Sequence, residues 1–253
     1  VKLDFDTDEG FGKRARLGVI VLEADETLEP EFSRMMNLDG VALHHSRIPM
    51  VPEVRADTLA QMEADLPASA RLLPRSRDLD VIGYGCTSAA TVIGSENVAR
   101  AIRTVIPSAQ VTDPLAAIIA AGRTLKATRL GFITPYLPEV SRRMRQRLGD
   151  AGFEISGFGS FEEEDDRVVA RITETAIVAA ALRIAEAAPC DAIVISCTNL
   201  RCLGVIPEIE ERAGLPVISS NQALAWHMLR LAGVDDVRPS FGTLFLHGLE
   251  TRT

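Results

Sequence analysis

Three observations on this 253-residue sequence predict an α/β fold of two pseudo-symmetric, doubly wound domains, each built on a mostly parallel four-stranded sheet. The first is a near-repeat: Asp80-Val-Ile-Gly-Tyr-Gly-Cys86-Thr87 and Asp191-Ala-Ile-Val-Ile-Ser-Cys197-Thr198 both read as an Asp, a buried strand, then Cys-Thr opening a helix. The second is its spacing. Arg16-Leu-Gly-Val-Ile20 recurs as Arg129-Leu-Gly-Phe-Ile133, and Ala121-Gly122 as Ala232-Gly233, all at offsets of 111 to 113 residues. The third is the alternation of short β-branched runs with helical patterns, which argues for βαβ units.

Taken in order, strands are expected at 17–22, 41–47, 80–85 and 109–112 in the first half, 14–122, and at 129–134, 153–159, 191–196 and 215–219 in the second, 127–234. An Ala-rich stretch from Val168 through Ala188, ended by Pro189, predicts the longest helix. Residues 1–13 are polar and charged and read as a flexible tail. Segment 235–253 has no partner in the other half and is expected to pack across the domain junction or a subunit interface, in a chain expected to form a homo-oligomer.

At 47% hydrophobic residues the chain can bury one or two substantial cores without a disulfide or metal staple. The four cysteines, together with a charged N-terminal stretch that lacks a signal-peptide pattern, are read as free thiols in a reducing cytoplasm. No apolar run approaches the roughly 20 residues that span a bilayer, so no membrane partner is expected. The formal charge of −8, with no Lys/Arg stripe interleaved with aromatics, disfavours nucleic acid. A small anionic substrate stays open, because local N–H donors can outweigh a distant screened field.

Cysteine is among the most buried residue types, so a lone Cys after a strand is usually core. The repeat changes that reading for Cys86 and Cys197, which occupy the same place in each half, whereas Cys190 precedes a strand and Cys202 lies a turn into a helix; these two are read as structural. Cys197 and Cys202 lack a second zinc knuckle, the histidines (His44, His45, His227, His247) lack ligand spacing, and Cys-x-x-Cys is absent, so neither a metal nor a redox disulfide is expected. A thiol at the carboxyl end of a parallel strand and the start of a helix sits where such folds bind ligands and where its pKa is expected to fall below about 8.5. Nearby N–H groups and the hydroxyls of Thr87, Ser88 and Thr198 can hold a carboxylate. Two thiols facing one another across the interdomain cleft, which is the expected active site, would let one abstract a proton or attack carbon while the other donates a proton.

Four segments carry a family resemblance: Gly18-Val-Ile-Val-Leu22-Glu-Ala-Asp25-Glu-Thr27-Leu-Glu29, Gly85-Cys86-Thr87-Ser88, Thr134-Pro135-Tyr136 and Ser196-Cys197-Thr198-Asn199. From Arg16 to about Val234 the chain resembles the aspartate/glutamate racemase superfamily, in the branch of maleate cis-trans isomerase, arylmalonate decarboxylase and the ectoine-utilisation protein A group. The resemblance implies a cofactor-independent isomerase or racemase with Cys86 as nucleophile, Cys197 as proton donor and Tyr136 on a substrate carboxylate. Thr27 and Asn199 fall within the same matched loops. Arylmalonate decarboxylase is less similar, keeping only the second-half cysteine.

Two departures bear on the substrate. Asp25 and Asp166 stand where maleate isomerases carry asparagines, and an ionised aspartate accepts but does not donate hydrogen bonds. Beside a dianion both would repel it, which suggests a small nitrogen-containing carboxylate of the ectoine-catabolism type, with maleate as the alternative. Each Asp also has a structural reading, Asp25 as an Asx turn or helix cap and Asp166 as a cap of the long helix. Trp226 and His227 are read as packing residues. A non-catalytic ligand-binding module on the same fold is the alternative of another class, since fold does not fix function. The absence of ligand spacing, a phosphate loop or a Schiff-base lysine context predicts turnover that survives exhaustive chelation and dialysis. Activity lost on chelation and restored by a divalent ion is the contrary result.

Overall fold

The computed structural model describes residues 1–50 and 56–250. In the first half β1 (Ala15–Leu22), α1 (Leu28–Met35), β2 (Val41–Ile48), α2 (Ala56–Ala70) and β3 (Val81–Gly85) are followed by α3 (Thr87–Ile93), α4 (Ser95–Arg103), β4 (Gln110–Thr112) and α5 (Pro114–Thr124). The second half runs β5 (Arg129–Thr134), α6 (Pro138–Asp150), β6 (Glu154–Ser160), α7 (Asp166–Val169), α8 (Glu174–Ala187), β7 (Ala192–Ile195), α9 (Ile206–Ala213), β8 (Val217–Ser219) and α10 (Ser220–Leu231). Sheet orders are β2-β1-β3-β4 and β6-β5-β7-β8, and every described strand pair is parallel. The inner strands are nearly continuous apolar runs, as sheets covered on both faces require.

The repeated aspartates explain themselves. Asp80 Oδ2 accepts the Arg16 backbone N–H at 2.7 Å and Asp191 Oδ2 accepts that of Arg129 at 2.8 Å. In return the Asp80 and Asp191 N–H groups donate to the Arg16 and Arg129 carbonyls, each at 2.8 Å. One side chain in each half thus fixes the register of the two central strands at their amino ends, and therefore the level at which their carboxyl ends emerge.

The halves interlock. α10 lies on the first half's sheet: a Cβ on Gly83 would fall 2.5 Å from Met228 Sδ, Thr112 Oγ1 pairs with His227 Nδ1 at 2.8 Å, and Gln110 Nε2 donates to Leu231 O at 2.9 Å. Its capping box, with Ser219 and Gln222 bonding reciprocally, starts the helix at the junction. Trp226 is fully buried, in keeping with the packing reading. The described part of the terminal segment, 235–250, runs back over α10 and α1: the Trp226 indole donates to His247 O, Gln222 Nε2 to Phe241 O, and the Arg238 guanidinium to Met35 O and Asn37 O. Residues 251–253 lie outside the described residues. No helix among the described residues is long and apolar enough to cross a membrane.

The helix expected over 168–188 is two helices. Asp165 caps the short α7, accepting the Arg167 N–H at 2.9 Å, and Thr173 caps α8, accepting that of Ala176 at 3.2 Å. The second cap breaks the run that composition alone joined, and α2, at 15 residues against 14 for α8, is the longer helix.

Asp191 also accepts the Thr128 N–H and hydroxyl and a guanidinium nitrogen of Arg129 at 2.9 Å, and these donors hold its carboxyl well below the ordinary range. A folded value below the unfolded one, about 3.9, gives stability that is complete well above the unfolded value and is lost progressively as pH falls from there through the lower folded value. Asp191→Ala is therefore expected to destabilise the fold by about 1–3 kcal/mol at neutral pH, the scale for hydrogen bonds to a charged group. Denaturant unfolding at pH 7 and near pH 3 checks this: the gap between variant and wild type narrows at the lower pH.

Candidate active site

In open α/β sheets, ligands bind beyond the carboxyl ends of the strands where strand order reverses, here between β1 and β3 and between β5 and β7. The loops leaving those four strands carry Asp25, Cys86, Tyr136 and Cys197 respectively. The two ends face one another: Thr198 Oγ1 donates to Gly85 O at 3.4 Å, Thr87 Oγ1 pairs with Ser220 Oγ at 2.9 Å, and Thr27 Oγ1 donates to Asn199 O at 3.0 Å. A bare Gly85 allows this convergence, since a Cβ there would sit 2.5 Å from Leu28 Cδ1 at the start of α1.

Each thiol accepts one backbone N–H and has a hydroxyl nearby. Cys86 caps α3: its Sγ accepts the Ala89 N–H at 3.3 Å and lies 3.5 Å from Ser88 Oγ. Cys197 Sγ accepts the Asn199 N–H at 3.3 Å and lies near the Tyr136 hydroxyl. The Tyr136 phenol feels the charge of both thiols, and Asp25 and Asp166 act on both as well, so the five groups share one site. Tyr84, whose hydroxyl is 3.6 Å from Met62 Sδ, interacts with Cys86 much as Tyr136 does with Cys197.

The carboxylates divide their oxygens between scaffold and site. Asp25 Oδ1 accepts the N–H groups of Thr27 at 2.8 Å and Leu28 at 2.7 Å, making the Asx turn that opens α1, while Oδ2 is buried without a hydrogen-bond partner. The Asx-turn reading of Asp25 thus holds through Oδ1. Asp166 is not the cap of its helix, since Asp165 takes that role, and its Oδ2 is likewise buried and unpartnered. Burial, and then the charge of Asp25, pushes Asp166 up to about 7; burial also raises Asp25, against the pull of its two N–H donors. Arg47, the cation whose charge reaches Asp25, spends its guanidinium on the carbonyls of Leu22, Glu23 and Asp25 and on Glu29.

Two expectations about the thiols are corrected. Cys86 and Cys197 do not open onto a solvent-filled cleft: they are 1% and 3% exposed, at a closed junction. Nor are they acidic. Burial first, with Asp166 and Asp25 adding to it, pushes Cys86 up to about 12 and Cys197 well above its ordinary value. Only Cys86 stands at a helix start; Cys197 and Cys202 lie in a turn-rich loop ahead of α9, so the helix expected to open at Thr198 is absent, and at both thiols dehydration and two neighbouring carboxylates outweigh the N–H donors.

Among the other residues singled out, Thr27 and Asn199 join the halves: Asn199 Oδ1 accepts the Glu26 N–H and its Nδ2 donates to Asp166 O at 2.9 Å. Thr87 is paired with Ser220, Ser88 lies beside Cys86, and Thr198 donates to Gly85 O. Sequence reading missed Tyr84, Ser220 and Asn221. The Ser219-x-x-Gln222 capping box signals the helix that carries the last two, but nothing local signals that this helix opens beneath both cysteine loops. Cys190 and Cys202 are buried and free, as Cys86 and Cys197 are. Among the described residues no group of three or more His, Cys, Asp or Glu is placed to hold a metal ion.

Comparison with known proteins matches this architecture. Maleate isomerase of Pseudomonas putida is 25% identical over 243 residues, covering 90% of this chain and 96% of its own. Arylmalonate decarboxylase of Bordetella bronchiseptica is 35% identical over 131 residues, 51% of this chain and 55% of its own. A solved structure of Nocardia farcinica maleate cis-trans isomerase, a mutant holding a covalently bound succinylcysteine intermediate, superposes with a TM-score of 0.82 at 25% identity, covering 91% of this chain and 98% of that one. The family model described as arylmalonate decarboxylase matches residues 78–245, which take in both cysteine loops, and the chain belongs to that family, within the aspartate/glutamate racemase-like branch it shares with the maleate isomerases.

Proposed function

We propose that this enzyme is an isomerase or racemase that works through Cys86 and Cys197 on a small carboxylate bearing a protonated nitrogen. The observation that carries the substrate class is the pair of buried, unpartnered oxygens, Asp25 Oδ2 and Asp166 Oδ2, beside two thiols. A dianion would meet two groups that only accept when ionised, whereas an ammonium or amidine donates to both and neutralises them. An ectoine-type solute with its ring amidine is one member of this class. The ectoine expectation itself rests on the Asp25-x-Thr27-x-Glu29 resemblance.

The same charges link binding to chemistry. Asp25 and Asp166 help hold both thiols neutral, so a cation that cancels them brings the thiols closer to ionisation when substrate is seated. Asp166, held near 7, is matched to exchange a proton at neutral pH. In a 1,1-transfer one thiolate takes the proton from the substrate carbon and the opposite thiol returns one to the other face. The Ala89 N–H and Ser88 hydroxyl at one sulfur, and the Asn199 N–H and Tyr136 hydroxyl at the other, stabilise whichever sulfur carries the charge.

A second reading, maleate cis-trans isomerisation, is favoured by maleate isomerase relatives that align over nine-tenths of the chain. In it Cys86 adds to the double bond and Cys197 supplies the proton. Maleate would bind here with Asp166 protonated and donating, the form populated as pH falls below about 7. Solvent-deuterium incorporation across amino acids, ectoine derivatives and maleate separates the two readings, and incorporation into none of them leaves a binding module.

Cys86→Ala and Cys197→Ala are each expected to lower turnover by about 10²-fold or more with unchanged circular dichroism, the scale for losing a nucleophile or acid–base group. A fully active double variant would reject the cysteine pair. Asp25→Asn is expected to tighten maleate binding by about 1–3 kcal/mol, since it removes a like charge from a dry site and supplies a donor. Inhibition constants for maleate in both forms measure this. Ordinary enzymatic turnover of maleate by the wild type, unimproved by the substitution, promotes the second reading.

A further inference from the structure

Outside the reacting groups, the described buried carboxylate with the fullest set of hydrogen bonds is Glu31. It lies on the apolar face of α1 with Leu28, Phe32 and Met35, an expensive place for an acid unless its oxygens are filled. They are filled from the other half of the molecule. Oε1 accepts the N–H groups of Cys202 and Leu203, both at 2.8 Å, and Oε2 accepts Asn221 Nδ2 at 2.8 Å. Asn221 Nδ2 also donates to Thr198 O at 2.7 Å, so the chain of bonds ends on the residue after Cys197.

The same stretch of the first half grips this loop at its other end, through the Glu26 N–H and Thr27 hydroxyl on Asn199. The duplication supplies a control. The fourth residue of α6 answers to the fourth of α1, and it is Ser141, whose hydroxyl stays within its own half on Tyr136 O at 3.1 Å and Thr134 Oγ1 at 2.8 Å. The crossing carboxylate therefore belongs to one half only, and the loop it holds is the one with Cys197.

We propose that Glu31 is a positioning residue for Cys197: by holding the Cys202 and Leu203 amides and, through Asn221, Thr198, it fixes the second-half cysteine loop against α1 so that the thiol stays opposed to Cys86. This rests on the reading in which Cys197 acts on substrate. Burial pushes Glu31 up to about 7 while its three donors pull it back, consistent with a carboxylate whose place depends on them.

The test compares Glu31→Gln and Glu31→Ala with the wild type. Glu31→Gln keeps one acceptor for the two amides but turns an NH₂ toward Asn221, so graded effects are expected. Amide hydrogen exchange should rise at Cys202 and Leu203, iodoacetamide should label Cys197 faster with Cys86 unchanged, and kcat should fall by about tenfold or more while KM moves little. Unchanged exchange at Cys202 and Leu203 in both variants overturns the proposal. So does a lowered melting temperature with wild-type kcat and equal acceleration of labelling at both cysteines, the signature of a merely structural residue. If the wild type turns over no compound of the panel, the functional reading fails by itself, while exchange and site-resolved labelling still decide the role of Glu31.

Discussion

Dehydration of four acidic groups at one junction is the constraint on which the rest of the structure depends. Two thiols and two carboxylates are drawn out of water together, and each is raised by its own burial before any neighbour is counted. The fold tolerates this because much of what surrounds them is a hydrogen-bond donor: N–H groups at helix starts, the Tyr136 and Ser88 hydroxyls, and the Asn199 amide. Even so, two carboxylate oxygens have no hydrogen-bond partner, which in a close-packed interior leaves part of the cost of burying them unmet.

Much of the fold was legible because it follows from local chemistry repeated at a fixed interval. Eight strands fall within about two residues of the runs that marked them, the inner ones because buried parallel strands need continuous apolar stretches and the chain has them. The duplicated Asp, strand and Cys-Thr pattern located both thiols on equivalent loops. What periodicity could not supply was the break at Thr173, where a single side-chain cap ends one helix and starts another inside an Ala-rich run.

The candidate site was legible in its members and not in its electrostatics. Cys86, Cys197, Tyr136, Asp25 and Asp166 are brought together as the matched loops implied, yet the sign of the thiol shift was misjudged. A helix start favours a thiolate when water remains nearby; here burial reaches 1% exposure for Cys86, a tertiary quantity with no local signature. Glu31 and Asn221 escaped for the same reason. Both look like ordinary helical residues until the halves are docked, and their partners lie 171 and 190 residues away in sequence.

The crossing of α10 onto the first sheet has a consequence for how the chain is made. Residues 15–112 contain all four strands of that sheet, but Gly83, Thr112 and Gln110 find their covering helix only at 224–231. During synthesis the first half therefore waits with part of one face bare until residues 224–231 have been emitted. A first half severed from α10 would present to solvent the sheet surface around Gly83 and Thr112 that this helix covers.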